Sequence, residues 1–265
     1  MTASQPSYDE KFFEPLHAIE DKHFWFRSRN QLIGGLIEKY CSATFSETMI
    51  GMEIGCGTGN VLKYLNTRFS GQRILGMDLF REGLVFAALR GNSSLIQADI
   101  HHSPFAQEFD WIGLFDIIEH LDEDVLVLQD TAALLRENGK LLISVPAFPV
   151  LWSYFDVAGK HKRRYTTQSL EKACKDAGLE LVFSSYTNAL IFPILWVVRR
   201  VFQMGKAPES LSEDALTAKT NSELRIIPLV NSLISFILGL EGSLIQAGVR
   251  MPFGTSLIAV ARRID

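Results

Sequence analysis

The sequence predicts an α/β fold, a mostly parallel sheet with helices on both faces. Three observations predict it. Between Met49 and Val145, short apolar runs alternate with segments of helical period, the pattern of β–α–β units. The first run, Met49 to Ile54, leads into the glycine-rich turn Gly55-Cys56-Gly57-Thr58-Gly59 and then into a helix. Seven runs read as strands, and two long apolar segments stand before the seventh as an insertion.

Residues 1 to 8 are polar and read as a frayed end. Tyr8 to Tyr40 is rich in aromatics, with Phe12, Phe13, His23, Phe24, Trp25 and Phe26. Leu32, Ile33, Leu36 and Ile37 then fall on one helix face. Because this segment precedes the first strand, it can lie over the mouth of a ligand site. Trp25 and Phe26 either pin the helix to the core or touch a ligand there. Ser42 to Thr48 reads as a linker. After the glycine turn, Val61, Leu62, Leu65 and Phe69 recur at helical spacing. Arg73 to Leu79 is a second strand ending in Asp78, a carboxylate placed to bind a ribose. Arg81 to Arg90 is helical, Ser93 to Asp99 is the third strand, and Phe109 to Phe115 is the fourth. Asp122 is the expected N-cap of a helix carrying Val125, Leu128, Ala132 and Leu135, with Asn138-Gly139 as its stop. Lys140 to Val145 is the fifth strand, closed by Pro146.

Composition narrows the function classes. The chain has 265 residues, enough for a sizeable core, and reads as one domain with additions. Hydrophobic content of 47% against 21% charged marks it as globular. A net charge of −4 argues against broad nucleic-acid binding. Cys41, Cys56 and Cys174 are scattered and odd in number, which offers no disulfide framework and no metal site. Met1 to Glu14 is too polar for a signal peptide, so the expectation is a cytoplasmic protein.

The glycine spacing bears on the cofactor. A dinucleotide fingerprint would need a glycine at position 60, where Asn60 stands. Glu53-Ile54-Gly55-Cys56-Gly57-Thr58-Gly59 instead resembles the first motif, E/D-x-G-x-G-x-G, of the class I S-adenosylmethionine-dependent methyltransferases. Asp78, Ala98-Asp99-Ile100 and the stretch through Asp116-Ile117-Ile118-Glu119-His120 follow in that family's order. His23-Phe24-Trp25-Phe26-x-x-Arg29-Asn30 is similar to a bacterial type 11/12-like branch of it. The resemblance implies a Rossmann-like seven-stranded sheet with an antiparallel last strand. It implies S-adenosyl-L-methionine as cofactor and S-adenosyl-L-homocysteine as product. It implies a cofactor-binding set of Trp25, Arg29, Glu53, Gly55, Cys56, Gly57, Gly59, Asp78, Leu79, Asp99, Ile100 and Asp116. The expected division is a helical cover over 1–48 and a methyltransferase domain over 49–265, with 187–254 as a mainly helical apolar insertion that caps the acceptor.

Pro146 to Tyr165 leaves the carboxyl end of a central strand and is too irregular for a simple connection, so it is a candidate functional loop. Phe148, Trp152, Tyr154 and Phe155 are candidate walls of an acceptor pocket. Asp156, His161, Arg163, Arg164 and Tyr165 are candidates to orient the acceptor, although Lys160 to Arg164 reads equally as a solvated basic loop. The resembling branch carries the same Trp, Asp and His-x-Arg-Arg-Tyr end. Thr167 to Ala177 is a helix, Leu179 to Tyr186 a strand, and Thr255 to Arg262 the last strand.

Inside the insertion, Ala189 to Val198 is almost wholly apolar and ends in Arg199-Arg200. After a polar link from Gly205 to Ser222, Leu229 to Leu240 is apolar except for Asn231, Ser232, Ser235 and Gly239. Neither run reaches the roughly 20 residues of a membrane span. Three covers are open: core or homodimer packing, an acceptor cap, or shallow peripheral membrane contact.

Methyl transfer from a sulfonium mainly needs alignment and exclusion of water. A base matters when the acceptor loses a proton, and His120 and His161 are the candidates. His101 and His102 are worse placed. The expected activity is S-adenosylmethionine-dependent methylation of a small-molecule or lipid-like acceptor. The alternatives are a protein that binds the cofactor without transfer, and a nucleotide-cofactor oxidoreductase, against which Asn60 counts.

Overall fold

The computed structural model describes residues 8–41, 49–92, 94–193, 196 and 225–264. The expected linker at 42–48, the polar link at 205–222 and the Arg199-Arg200 pair lie outside the described residues. Seven strands form one sheet: β1 (Ile50–Ile54), β2 (Arg73–Asp78), β3 (Leu95–Gln97), β4 (Phe109–Phe115), β5 (Leu135–Pro146), β6 (Leu179–Thr187) and β7 (Ser256–Arg263). Their spatial order is β3-β2-β1-β4-β5-β7-β6. All neighbours run parallel except β7, which is antiparallel to both β5 and β6. The order reverses between β1 and β4, so the crevice beyond their carboxyl ends is where such a sheet binds ligands.

The helices are α1 (Phe13–Ile19), α2 (Phe24–Cys41), α3 (Asn60–Arg68), α4 (Arg81–Leu89), α5 (Asp124–Leu134), α6 (Tyr154–Ala158), α7 (Thr167–Asp176) and α8 (Pro228–Gln246). Each sheet face has its own core. Phe109, Ile112 and Leu114 of β4 pack with α5 and α7 on one side, while Trp111 and Phe115 face α2 and α3 on the other. Side chains of a strand alternate between faces, so one strand feeds both cores. Trp111 fits because Gly51 on β1 has no side chain: a Cβ there would lie 2.1 Å from the indole. On α2 the expected face is buried, with Leu32, Ile33, Leu36 and Ile37 in the second core.

Two boundaries differ from the sequence reading. The N-cap of α5 is Glu123 rather than Asp122, and no side chain caps it. Leu135 opens β5 instead of closing α5, and Asn138 takes a left-handed turn (φ 66°) inside the strand, where the β4–β5 register shifts. The Asn-Gly pair therefore marks a strand irregularity and not a helix stop. The segment between β6 and β7 holds α8. Its second apolar run is longer than the sequence suggested, because α8 begins at Pro228 and continues to Gln246 through Glu241, Gly242 and Ser243.

Candidate cofactor and acceptor site

The glycine turn is shaped by backbone that only glycine adopts cheaply. Gly55, Gly57 and Gly59 all have positive φ (71°, 48° and 73°). A Cβ at Gly57 would meet only Phe13, at 3.7 Å, so this backbone faces open space under the N-terminal aromatics. Asp78 holds the turn: its carboxylate accepts from the Gly57 N–H at 2.7 Å and the Phe80 N–H at 2.8 Å. A carboxylate has about four lone-pair sites, so Asp78 keeps capacity for a further donor. Glu53 is buried at the end of β1 with Oε2 unpartnered, and burial raises its pKa well above the usual range. A buried acid with one unpartnered oxygen beside bare backbone is a set that fits a polar cofactor. Cys56 is buried and its thiol is pushed up by burial, so it packs as a small neutral group. Leu79 is exposed at the end of β2, and its carbonyl accepts from Gln97. Asp99 accepts from the His101 N–H at 3.0 Å and opens the turn containing Ile100 at the end of β3.

The N-terminal cover is fastened over this turn. Thr58 donates to Glu20, and Arg90 bridges Glu20 (2.8 Å) and Asp21 (2.5 Å). Asn60 donates to Asp21 at 2.9 Å, and Asn30 to Asn60 at 2.7 Å. Tyr8, Phe13 and Phe80 cluster above, and the Tyr8 ring meets His120 edge-on at 5.7 Å. The Glu20–Arg90–Thr58 latch was not singled out from sequence; Glu20 and Arg90 are 70 residues apart, Thr58 is 38 from Glu20, and the three share no motif.

At the far end of the crevice, Arg29 pairs with Asp116, which sits at φ 58° just past β4. The Arg29 guanidinium lies over the Trp25 ring at 4.6 Å, so Trp25 both packs and lines the site. A cleft opens beside this pair. Its lining joins Trp25, Arg29 and Asp116 to Ser144 and Ile258 of the sheet and to Leu238, Glu241 and Gly242 of α8. Glu241 is buried and raised in pKa by burial. It accepts from the main-chain N–H groups of Asn188 and Leu190, anchoring α8 to the chain after β6. Ser144 and Glu241 were missed from sequence. The one signal for Glu241 was a lone acid at the edge of an apolar run.

The loop after β5 departs from expectation. Tyr154 is buried and stacked on Phe155, Arg164 is buried, and Tyr165 is buried with its hydroxyl donating to Asp124 at 2.6 Å. All three side chains are buried, and Arg164 and Tyr165 are engaged with acids of the protein itself, Asp156 and Asp124. Arg164 grips Asp156 through Nε (2.6 Å) and Nη2 (2.9 Å), and the Ser153 N–H adds a bond at 2.7 Å. Burial alone would raise the Asp156 carboxyl, but the bonds from His161 and Arg164 outweigh it and hold it below the usual range. Phe148, at φ 54°, stacks on Tyr186 at 4.5 Å. Trp152 is half-buried and, like Phe148, lies outside the cleft lining.

The two candidate histidines come together. Their rings meet edge-on at 4.7 Å, and His161 Nδ1 is 2.9 Å from Asp156. Burial and the neighbouring His161 lower the His120 pKa to about 3, so His120 is neutral at physiological pH. Beneath them lies Glu119, fully buried, with neither carboxylate oxygen partnered. Burial, and secondarily Asp116, push its pKa well above the usual range. Glu119, His120 and His161 each bring one ligand atom within 4.8 Å of the others, the one grouping of that kind among the described residues.

A family model described as "Methyltransferase domain" matches residues 24–183. The chain is 26% identical over 140 residues to a ubiquinone biosynthesis O-methyltransferase of Aeromonas salmonicida, covering 50% of this chain and 52% of that protein. It thus spans about half the length of that curated relative. Among solved structures it is similar to a S-adenosylmethionine-dependent methyltransferase of Thermotoga maritima, described as a possible histamine N-methyltransferase. That likeness has a TM-score of 0.54 at 17% identity and covers 96% of this chain and 97% of the other. It is similar also to a Haemonchus contortus phosphoethanolamine N-methyltransferase in complex with S-adenosylhomocysteine. There the TM-score is 0.54 at 15% identity, covering 89% and 53%.

Proposed function

The chain belongs to the class I S-adenosylmethionine-dependent methyltransferases, and from that premise we propose that it methylates a small or lipid-like acceptor held in the cleft under α8. The observation that supports this is the cleft's lining, which joins the Arg29–Asp116 pair to Leu238, Glu241 and Gly242 of the insertion. Bound S-adenosylmethionine supplies an electrophilic methyl carbon on a sulfonium. The backbone of Gly55, Gly57 and Gly59 gives its methionine part room, Asp78 takes the ribose hydroxyls, and Asp99 with Ile100 takes the adenine edge. Arg29 offers a cation to the cofactor carboxylate.

The walls set the acceptor class. Trp25, Leu238 and Ile258 favour an apolar body, and the unpartnered Ser144 hydroxyl offers it a polar contact. The relative's name, an O-methyltransferase, makes a hydroxyl the first acceptor group to test. The N-terminal segment serves as a cover and α8 as an acceptor cap. Alignment carries most of the chemistry. His120 and His161 do not line the cleft. His161, oriented by its contact with Asp156, serves as base for an acceptor that reaches beneath Tyr8, its Nε2 accepting the proton, while His120, its pKa pushed down to about 3, packs against it.

Calorimetry with S-adenosylhomocysteine and NAD tests the reading. We expect S-adenosylhomocysteine to bind, NAD not to, and Arg29→Ala to weaken the first by about tenfold or more. Binding of NAD alone would overturn it in favour of an oxidoreductase. Binding of S-adenosylhomocysteine with no turnover across a panel of apolar phenols and alcohols would favour a protein that binds without transfer.

A further inference from the structure

α8 buries one face and leaves an apolar one exposed. Asn231, Leu238, Glu241, Gly242 and Ile245 turn inward and are buried. On the opposite side Leu229, Leu233, Phe236, Leu240 and Leu244 fall at helical spacing and are exposed, Leu229 by 85% and Phe236 by 65%. A helix apolar all round is normally covered on both sides. The single charged residue of its 19 is Glu241, on the inner face. The outer face is therefore uncharged along roughly 28 Å, at 1.5 Å per residue.

Basic groups stand at both its ends, and the described acids near them are paired, Asp21 with Lys63 and Arg90 and Glu38 with Arg68. Arg225 is exposed just before α8, two residues after Glu223, which lies outside the described residues, and Lys22, also exposed, accepts through its carbonyl from Asn231 at 3.0 Å. At the other end Lys39 donates to the Gln246 carbonyl at 2.8 Å, and Arg250 is exposed four residues beyond. An uncharged apolar strip with cations at both ends complements an anionic bilayer surface, with the strip in the acyl boundary and the cations at phosphates.

By length and composition α8 could cross a membrane. Its attachments say otherwise. Asn231 accepts from the Phe24 N–H at 2.8 Å, and Lys39 holds the far end, so α8 lies along α2 for its whole length. A spanning α8 would carry Arg27, Glu38 and Lys39 of α2 into hydrocarbon. We infer that the outer face of α8 docks flat on an anionic lipid surface. Such docking is independent of which acceptor the cleft holds.

Co-sedimentation of the full chain with vesicles of mixed phosphatidylcholine and phosphatidylglycerol, and of phosphatidylcholine alone, tests this. We expect the chain to bind the mixed vesicles, more weakly as salt rises. The double variant Leu233→Asp, Phe236→Asp should lose more than about tenfold in partitioning. Arg225→Glu with Arg250→Glu should lose most of the preference for phosphatidylglycerol. Because these side chains are already exposed, the variants should melt within a few degrees of the parent. If the Asp variant unfolds, Leu233→Ser with Phe236→Ser replaces it. Absence of wild-type binding, equal binding by the variants, or indifference to lipid charge would each overturn the inference. So would a dimer in sedimentation equilibrium that the Asp variant abolishes, since a second copy would then be the cover.

Discussion

The two halves of the crevice are built on opposite principles. The glycine-turn half is mostly backbone: three positive-φ glycines, two N–H bonds into Asp78, and space left open above Gly57. The loop half, past β5, is mostly buried ionic side chains: Asp156 held by Arg164, Ser153 and His161, with unpartnered Glu119 below. Backbone sites fail by loss of fit to a ligand and leave the fold standing. Ionic networks fail by leaving a charge buried and unpaired, and the fold goes with them.

That contrast can be broken most violently at Asp156. Asp156→Ala leaves Arg164 buried with its carboxylate partner gone. Removing one member of a buried pair typically costs about 3–5 kcal/mol. Urea denaturation should show a loss of that size at neutral pH, and a smaller one as pH falls, because a carboxyl with a lowered pKa stabilises only above its titration range. A change under about 1 kcal/mol at neutral pH would mean the network is solvated and the two halves are alike.

On the other half, Gly57→Val should spare the fold and damage binding. The left-handed backbone costs about 1–2 kcal/mol for a side-chain-bearing residue, and nothing but Phe13 lies near the new Cβ. Calorimetry should show S-adenosylhomocysteine affinity down by about tenfold or more, since the branched chain occupies the cofactor's space. Gly59→Val is the sharper control: there a Cβ would come within 2.7 Å of Ala87, so stability as well as affinity should fall.

The same contrast explains what could be read from the sequence. Glu53, Gly55, Gly57, Gly59 and Asp78 lie within 26 residues, and each is needed by local geometry, so the strand–turn–helix pattern announces them. The α/β class and most strand positions followed from periodicity, while the insertion was expected from the family resemblance. Arg164 and Tyr165 look from sequence like groups offered to an acceptor, because polar residues in a long loop usually are. Their burial depends on Asp156 and Asp124, and no local pattern says which carboxylate a loop arginine will find. Glu241 and the Glu20–Arg90 latch were illegible for the same reason: each works across an interface between elements distant in sequence.

The smallest expected effect is a slope. Glu119 is fully buried, has no hydrogen-bond partner, and carries a pKa raised well above the usual 4.5. In the unfolded chain it ionises near 4.5, while in the folded chain it keeps its proton to higher pH. Folding therefore binds a proton in the window between, and this group's contribution to stability is whole below about 4.5 and declines as pH rises. That is the opposite sign from Asp156. Glu119→Gln keeps the shape and the neutral state but cannot ionise. It should match the parent near pH 4 and become progressively more stable than the parent as pH rises toward neutrality. The melting-temperature difference between the two, measured across that range, reads the slope directly. A difference that stays flat would mean Glu119 is ionised in the folded protein and balanced by Arg164 or by a cation between His120 and His161, and the buried neutral acid would have to be abandoned.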